Sequence, residues 1–243
     1  MPEPRIHLPV RLAVGQTVEL DDNARRHVVQ VLRLRAGDRI VLFNGEGGEC
    51  PATIVQAGKR SVQVRIDDCT DIDRESPLNV HLGLGISKGE RMDFALQKAT
   101  ELGVAQITPL FTERVVVRLD DKRLNKRLDH WRGVIVAACE QSGRNRLPVL
   151  HDAVSFDDWL AARDEACRLF LDPLAARSLK DLPAPGTRVA LAIGPEGGFS
   201  DRERDRIRLR DFTGVQLGPR ILRTETAAMA ALAAVQVLWG DMG

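Results

Sequence analysis

The sequence predicts a small β-rich module followed by an α/β domain with a largely parallel sheet, and three observations carry that expectation. In the first 75 residues, short alternating or β-branched runs are separated by glycine-containing turns, the pattern of a small β-barrel. From residue 76 onward strand-like runs alternate with helical periodicity, as in domains built from strand–helix repeats. Between them the polar segment CTDIDRESP at 69–77 breaks both periodicities, so the chain divides into 1–75 and 76–243.

In the first module the runs 17–20, 39–43, 52–56 and 61–66 read as strands, punctuated by Asn44-Gly45, Gly47-Gly48 and Ala57-Gly58. Asp21 or Asp22 can cap a helix reaching about residue 32, with Val28, Val31 and Leu32 inward and Arg25, Arg26 and Arg33 outward. The second domain opens with a continuous apolar strand at 79–86. Ser87-Lys88-Gly89-Glu90 then has the spacing of a capping box, in which serine and glutamate satisfy free amide groups of a new helix. That helix runs to about residue 102 on a stripe of Met92, Ala95, Leu96, Ala99 and Leu102, and Gly103 ends it. A strand at 105–111 follows, then a helix from about 121 with Leu124, Leu128, Trp131, Ile135 and Ala138 on one face. Buried strands at 168–171 and 188–193 come next, the second running into Gly194-Pro195-Glu196-Gly197-Gly198. Ser200-Asp201-Arg202-Glu203 forms a second capping box, and 214–217 is a last strand. The final helix, 224–239, is apolar almost all round and must be covered either by its own chain or by a second copy.

Composition narrows the function class. With 44% hydrophobic and 28% charged residues the chain is globular rather than disordered, collagen-like or coiled-coil. Its longest apolar run, 227–235, is far short of the ~20 residues needed to cross a bilayer. The first 14 residues have neither the apolar core nor the cleavage site of a secretory signal, which predicts a cytoplasmic address. Cys50, Cys69, Cys139 and Cys167 lack zinc-site spacing and are expected to be reduced and structural. The 35 basic and 34 acidic side chains nearly cancel, so any nucleic-acid site must be a local patch. One candidate stretch, 113–146, holds nine Lys or Arg, Arg118 among them, against five acids that include Asp120. The alternating acids and arginines of 201–211 read as surface salt bridging.

Two glycine turns carry the chemistry. LAIGPEGGFSDRE sets one between a buried strand and a capped helix, where open α/β sheets bind ligands. Neither GxGxxG nor GxxxxGK[ST] is present, so neither a nicotinamide cofactor nor a nucleoside triphosphate is supported. The second, QLGPRILRTETA at 216–227, crowds Arg220, Arg223, Thr224, Glu225 and Thr226 before an apolar helix. A cation at a helix N-terminus is disfavoured unless it faces an acid or an anionic ligand, and Arg223 stands there.

These two motifs, in that order and about 20 residues apart, resemble the RsmE family, the 16S ribosomal RNA uracil-N3 methyltransferases of the SPOUT class. The likeness extends through ISKGERMDFALQKATELGV, Thr112-Glu113-Arg114, Glu140-Gln141-Ser142-Gly143-Arg144 and HVVQVLRLRAGD. It implies a PUA-like RNA-binding β-barrel, a methyltransferase domain with a deep trefoil knot, S-adenosylmethionine as cofactor, and a homodimer acting on 16S rRNA in the small ribosomal subunit. Carried over by motif, the cofactor pocket comprises Leu171, Gly194, Pro195, Glu196, Gly197 and Gly198 on one side. On the other stand Leu217, Gly218, Ile221, Leu222, Arg223, Thr224 and Ala227. Pro219 departs from the family pattern, which has a variable polar residue there.

Methylating N3 of uracil requires that nitrogen to lose its proton, and a nearby cation favours the resulting anion. Arg223 is the candidate for stabilising it, in the manner of an oxyanion hole. Glu196 or Glu225 is the candidate proton acceptor, a role that needs a raised pKa or a solvent relay. Alignment of nucleophile, methyl and leaving sulfur supplies much of the rate, and no metal is required. Because N3 lies on the Watson–Crick edge, the target must be unpaired or flipped out. Arg25, Arg26, Arg33 and Arg35 in the first module, with Lys88, Arg114 and Arg144 in the second domain, are the expected RNA contacts. Two other readings remain open at this stage: ribose 2′-O methylation by a related knotted enzyme, and a non-enzymatic RNA-binding or ribosome-assembly protein.

Overall fold

A computed structural model describes residues 3–115 and 121–243, with the side chain of Asp121 also outside the description. The chain falls into two compact units, residues 1–75 with 139–147, and 76–138 with 148–243. The segment 139–147 groups with the first unit. Specific bonds hold it there: Asn145 Nδ2 donates to Ile72 O at 2.9 Å, and Arg144 Nε donates to Glu75 Oε2 at 3.0 Å. The helix that was expected in the second domain ends within this segment.

In the first unit, strands β1 (Arg5–His7), β2 (Thr17–Glu19), β3 (Arg39–Phe43), β4 (Cys50–Ala57) and β5 (Val62–Ile66) form one sheet in the order β1-β3-β4-β5-β2. Only the β1–β3 pair is parallel. Alternate side chains, among them Ile40, Leu42, Ala52, Ile54, Val62, Val64 and Ile66, point into one apolar cluster, as the period of two requires. Helix α1 (Asp22–Arg26) starts at Asp21, whose carboxylate accepts from Asn23 N and Ala24 N. It continues as a π-helical turn, His27–Val31. The wider turn changes the register of an ordinary helix, so Val28 stays buried while Val31 is 67% exposed, against the expected inward placement of both.

The cysteine expectation also needs correction. Cys50 and Cys69 form a disulfide. Glu49 and Thr70 exchange backbone hydrogen bonds as an antiparallel pair, which sets the two cysteines beside each other, a long-range pairing invisible in their 19-residue spacing. Cys139 and Cys167 are free thiols, and burial pushes Cys139 up to about 12.

The second unit is a parallel sheet in the order β12-β10-β11-β6-β7-β8, with β9 also pairing β7. Its strands are β6 (Asn79–Gly85), β7 (Gln106–Phe111), β8 (Val149–Leu150), β9 (Val154–Ser155), β10 (Cys167–Leu171), β11 (Arg188–Ile193) and β12 (Thr213–Val215). The helices are α2 (Glu90–Glu101), α3 (Asp121–Ser142), α4 (Phe156–Ala161), α5 (Asp201–Arg208) and α6 (Thr224–Trp239). Phe156, Trp159 and Leu160 of α4 and Ile207 of α5 share one cluster with Phe170, Ala190 and Ala192 of the sheet. Helices α2 and α6 pack on each other. Among the described residues no helix is long and apolar enough to cross a membrane.

The two capping boxes part company. At α5 the box forms, with Ser200 Oγ accepting from Glu203 N and Glu203 accepting from Ser200 N. At α2 it does not: Ser87 is buried and its hydroxyl donates to Gly85 O, while the N-cap position is Gly89, with φ 57° and no side-chain cap bond.

Candidate functional site

Strands β11, β10 and β12 lie side by side and parallel, so their carboxyl ends, Ile193, Leu171 and Val215, meet at one edge of the sheet. That edge is where open α/β sheets bind ligands. The segments leaving these strands enclose a cavity of about 300 Å3. Leu171, Gly194, Pro195, Glu196, Gly197, Gly198, Leu217, Gly218, Ile221, Leu222, Thr224 and Ala227 all line it. Of the residues expected to hold a cofactor only Arg223 is absent from the lining. The sequence reading missed Asp172, Pro173, Ile193, Phe199, Arg204, Val215, Gln216 and Arg220. Ile193, Val215 and Gln216 had a usable signal, since each sits at the end of a strand leading into a predicted turn. Arg204 had none, because its alternating neighbours suggested a solvated face.

Local chemistry explains the shape. Gly198 and Gly218 have φ of 66° and 73°, left-handed values that a side chain rarely tolerates. At the end of β6, a Cβ on Gly85 would lie 2.4 Å from Pro195 N, so only glycine lets the first turn approach that strand. Glu196 pins the turn from the other side: its Oε1 accepts from Lys88 N at 3.1 Å and from an Arg91 guanidinium nitrogen at 3.2 Å. Burial alone would raise the Glu196 carboxyl, but the backbone donors of Glu196 and Lys88, with Arg91, outweigh it and hold the group below the usual carboxylate range. Arg114 donates to Gly197 O at 2.8 Å. Opposite the glycine turn, the buried carboxylate of Asp172 accepts from Leu174 N at 3.0 Å and Arg208 at 2.9 Å, with Arg204 Nε 3.9 Å away.

The three catalytic candidates differ in setting. Arg223 is the N-cap residue of α6; its side chain is exposed, makes no cap bond and has no ion pair among the described residues. Glu225 lies in the first turn of α6, and its Oε2 is a buried oxygen with no hydrogen-bond partner among the described residues. Glu196 is committed to Lys88 and Arg91, which makes it an anchor and a poor base.

The RNA candidates separate as well. Arg25 pairs with Asp22 at 2.9 Å, and Arg26 bonds Asp22 O and Asn23, so both are engaged on their own helix. Arg33 and Arg35 are exposed, as are Lys88 and Arg114 beside the glycine turn. Arg144 must be withdrawn: it is 5% exposed and ion-paired with Glu75, so its guanidinium serves the interior of the first unit rather than a phosphate. Arg118 and Asp120 lie outside the described residues. The arginines of α5 do pair with acids, but largely beyond their own helix: Arg206 reaches Glu113 at 2.6 Å and Asp157 at 2.9 Å.

Residues 74–236 match the family model described as an RNA methyltransferase domain, and 20–67 the model described as an RNA methyltransferase PUA domain. A ribosomal RNA small subunit methyltransferase E of Buchnera aphidicola subsp. Schizaphis graminum is 35% identical over 240 residues, spanning 98% of each chain. The protein of that name in Bacillus subtilis is 33% identical over 229 residues, 88% of this chain and 89% of its own. Among solved structures, a putative methyltransferase of Legionella pneumophila in complex with the cofactor SAM superposes with a TM-score of 0.97 at 44% identity, covering 99% of this chain and 100% of the other. A ribosomal RNA small subunit methyltransferase E of Neisseria gonorrhoeae bound to S-adenosyl methionine gives 0.92 at 41% identity, with the same coverage.

Proposed function

Because the chain belongs to the ribosomal RNA small subunit methyltransferase E family, we propose that it methylates N3 of a uridine in 16S rRNA of the small subunit, using S-adenosylmethionine. The observation that carries the reading is that one cavity collects twelve of the thirteen expected cofactor residues at the ends of β10, β11 and β12. The residues present fit the cofactor. A cavity of about 300 Å3 is of the size that encloses a small ligand. Its walls offer apolar side chains at Leu171, Leu217, Leu222 and Ala227, suited to a purine. They also offer carboxylates at Asp172 and Glu196 and a cation at Arg204, suited to a charged amino-acid tail.

S-adenosylmethionine supplies an electrophilic methyl group on a sulfonium. The rest falls to the chain. Arg223, exposed and unpaired among the described residues, would donate to a carbonyl oxygen beside N3 and stabilise the pyrimidine anion. Glu225, with one buried oxygen lacking a partner among the described residues, is the proposed acceptor of the N3 proton. Glu196 holds the glycine turn in place and takes no proton. Lys88 and Arg114, and separately Arg33 and Arg35 of the PUA-like unit, would engage the RNA backbone. The family also supports a trefoil knot formed by the segments around the cavity, a homodimer, and a cytoplasmic setting where ribosomal subunits mature.

The test is incubation with small-subunit particles and labelled S-adenosylmethionine, followed by mass analysis of nucleosides. N3-methyluridine is the expected product. A 2′-O-methylated nucleoside would overturn the assignment.

A further inference from the structure

Glu203 does more than cap α5. Its side chain is 1% exposed and forms no ion pair among the described residues. One oxygen accepts from Ser200 N at 2.8 Å, closing the capping box. The other accepts from Glu113 N, also at 2.8 Å. Ser200 ends the glycine-rich turn that walls the cavity, whereas Glu113 lies just after β7, next to Arg114. A buried carboxylate is costly unless its hydrogen bonds are complete, so both backbone donors must be in place together. Two more contacts reinforce the same junction: Arg114 to Gly197 O, and Arg206, one turn along α5, to the Glu113 carboxylate.

We propose that Glu203 is a positioning residue that holds the 112–114 segment against the glycine-rich turn, so that Arg114 is presented to RNA in register with the cofactor cavity. The inference rests on the reading of that cavity and of Arg114 given above. Glu203 acts through Arg114 and does not touch substrate.

Glu203→Gln keeps the size of the side chain but turns an amide NH2 toward one of the two N–H donors, releasing one segment. The native chain, Glu203→Gln, Arg114→Ala and the double variant are compared for transfer of labelled methyl into small-subunit RNA, with cofactor affinity measured alone by calorimetry. Glu203→Gln should lower kcat/KM for RNA about ten- to a hundredfold, the scale of a ~1 Å misplacement, while cofactor Kd changes less than about threefold. The double variant should be no worse than the poorer single, because both substitutions remove the same placement. Multiplicative losses would overturn the proposal, as would a Kd that rises as far as kcat/KM falls. A second pair decides the matter even if Glu203→Gln does not fold. Glu113→Ala keeps the N–H and gives up only the carboxylate's contacts, so it should cost clearly less activity than Glu113→Pro, which lacks the N–H that Glu203 accepts from; equal losses would overturn the strut. Label is counted wherever it enters RNA, so a methyl on an atom other than N3 would refute the uridine assignment and leave this inference standing.

Discussion

Arg223, the N-cap residue of α6, is the proposed donor to the pyrimidine anion. A cation at the start of an apolar helix signalled an anionic partner, and in the structure the side chain is exposed, unpaired among the described residues, and outside the cavity lining. A group outside the cofactor wall but next to it should act on the RNA base. Arg223→Ala is therefore expected to lower kcat by roughly 10²–10³, the usual cost of one anion-stabilising donor, with cofactor affinity nearly unchanged. Single-turnover rates and calorimetry check this, and matched losses in both would end the proposed role. Gly85 makes a complementary case, since nothing in its sequence neighbourhood hinted at it. Its importance comes from Pro195, 110 positions away, whose backbone nitrogen would stand 2.4 Å from an added Cβ. Gly85→Ala must displace the glycine turn; it should weaken cofactor binding and cost about 1–3 kcal/mol of stability, as overpacking does. Unchanged affinity in a titration would show that the turn tolerates the shift. Arg144 was misread for the same reason in reverse: the sequence shows a basic patch, while only the fold reveals Glu75 beside it.

At the scale of elements, strong local patterns translated directly. Strands β3 and β11 and helix α6 have the limits their periodicity gives, because long apolar runs and abrupt turn residues leave little freedom. Short pieces did not: β1, β8, β9 and α4 were not foreseen, as two to six residues carry too little periodicity to stand out. The capping boxes teach a finer lesson. Ser87 and Ser200 have the same spacing to a glutamate, but Ser87 is buried at the end of β6, and Glu196 from a distant turn supplies an acceptor to Lys88 N instead. Long-range partners also organise the first unit, where Glu49 receives Arg5 at 2.6 Å and Arg74 at 2.8 Å. The Arg74 hydrogen bond, with help from Arg5, outweighs burial and holds the Glu49 carboxyl down at about 2, against 4.5 ordinarily. A depressed carboxyl stabilises the fold fully above its unfolded pKa and loses that contribution as pH falls through the folded value. Acid unfolding of the native chain should thus gain slope between about pH 4.5 and 2, and Glu49→Gln should flatten it over that window. Identical slopes in circular dichroism for both chains would show that the pair contributes nothing there.

For the molecule as a whole, the open question in the sequence was what covers α6. The structure answers half of it. Ala228, Ala231, Leu232 and Val235 are buried within the chain itself, so the helix has a core face despite lacking a polar one. Its far end is different: Val237 is 51% exposed and Leu238 45% exposed, an apolar edge that a lone chain leaves in water. The proposed homodimer would use that edge, and this changes which substitution can test it. A charge at Ala231 would be buried in the chain's own core and would unfold it, since an unpaired buried charge is among the most damaging changes a core can receive. A charge at Val237 can reach solvent in the single chain, because that residue is half exposed. Val237→Glu should therefore leave thermal unfolding of the separated chain close to native while converting dimers to monomers in sedimentation or light scattering. A folded variant that still sediments as a dimer would remove α6 from the interface, and a variant that unfolds would show that Val237 supports the chain's own core.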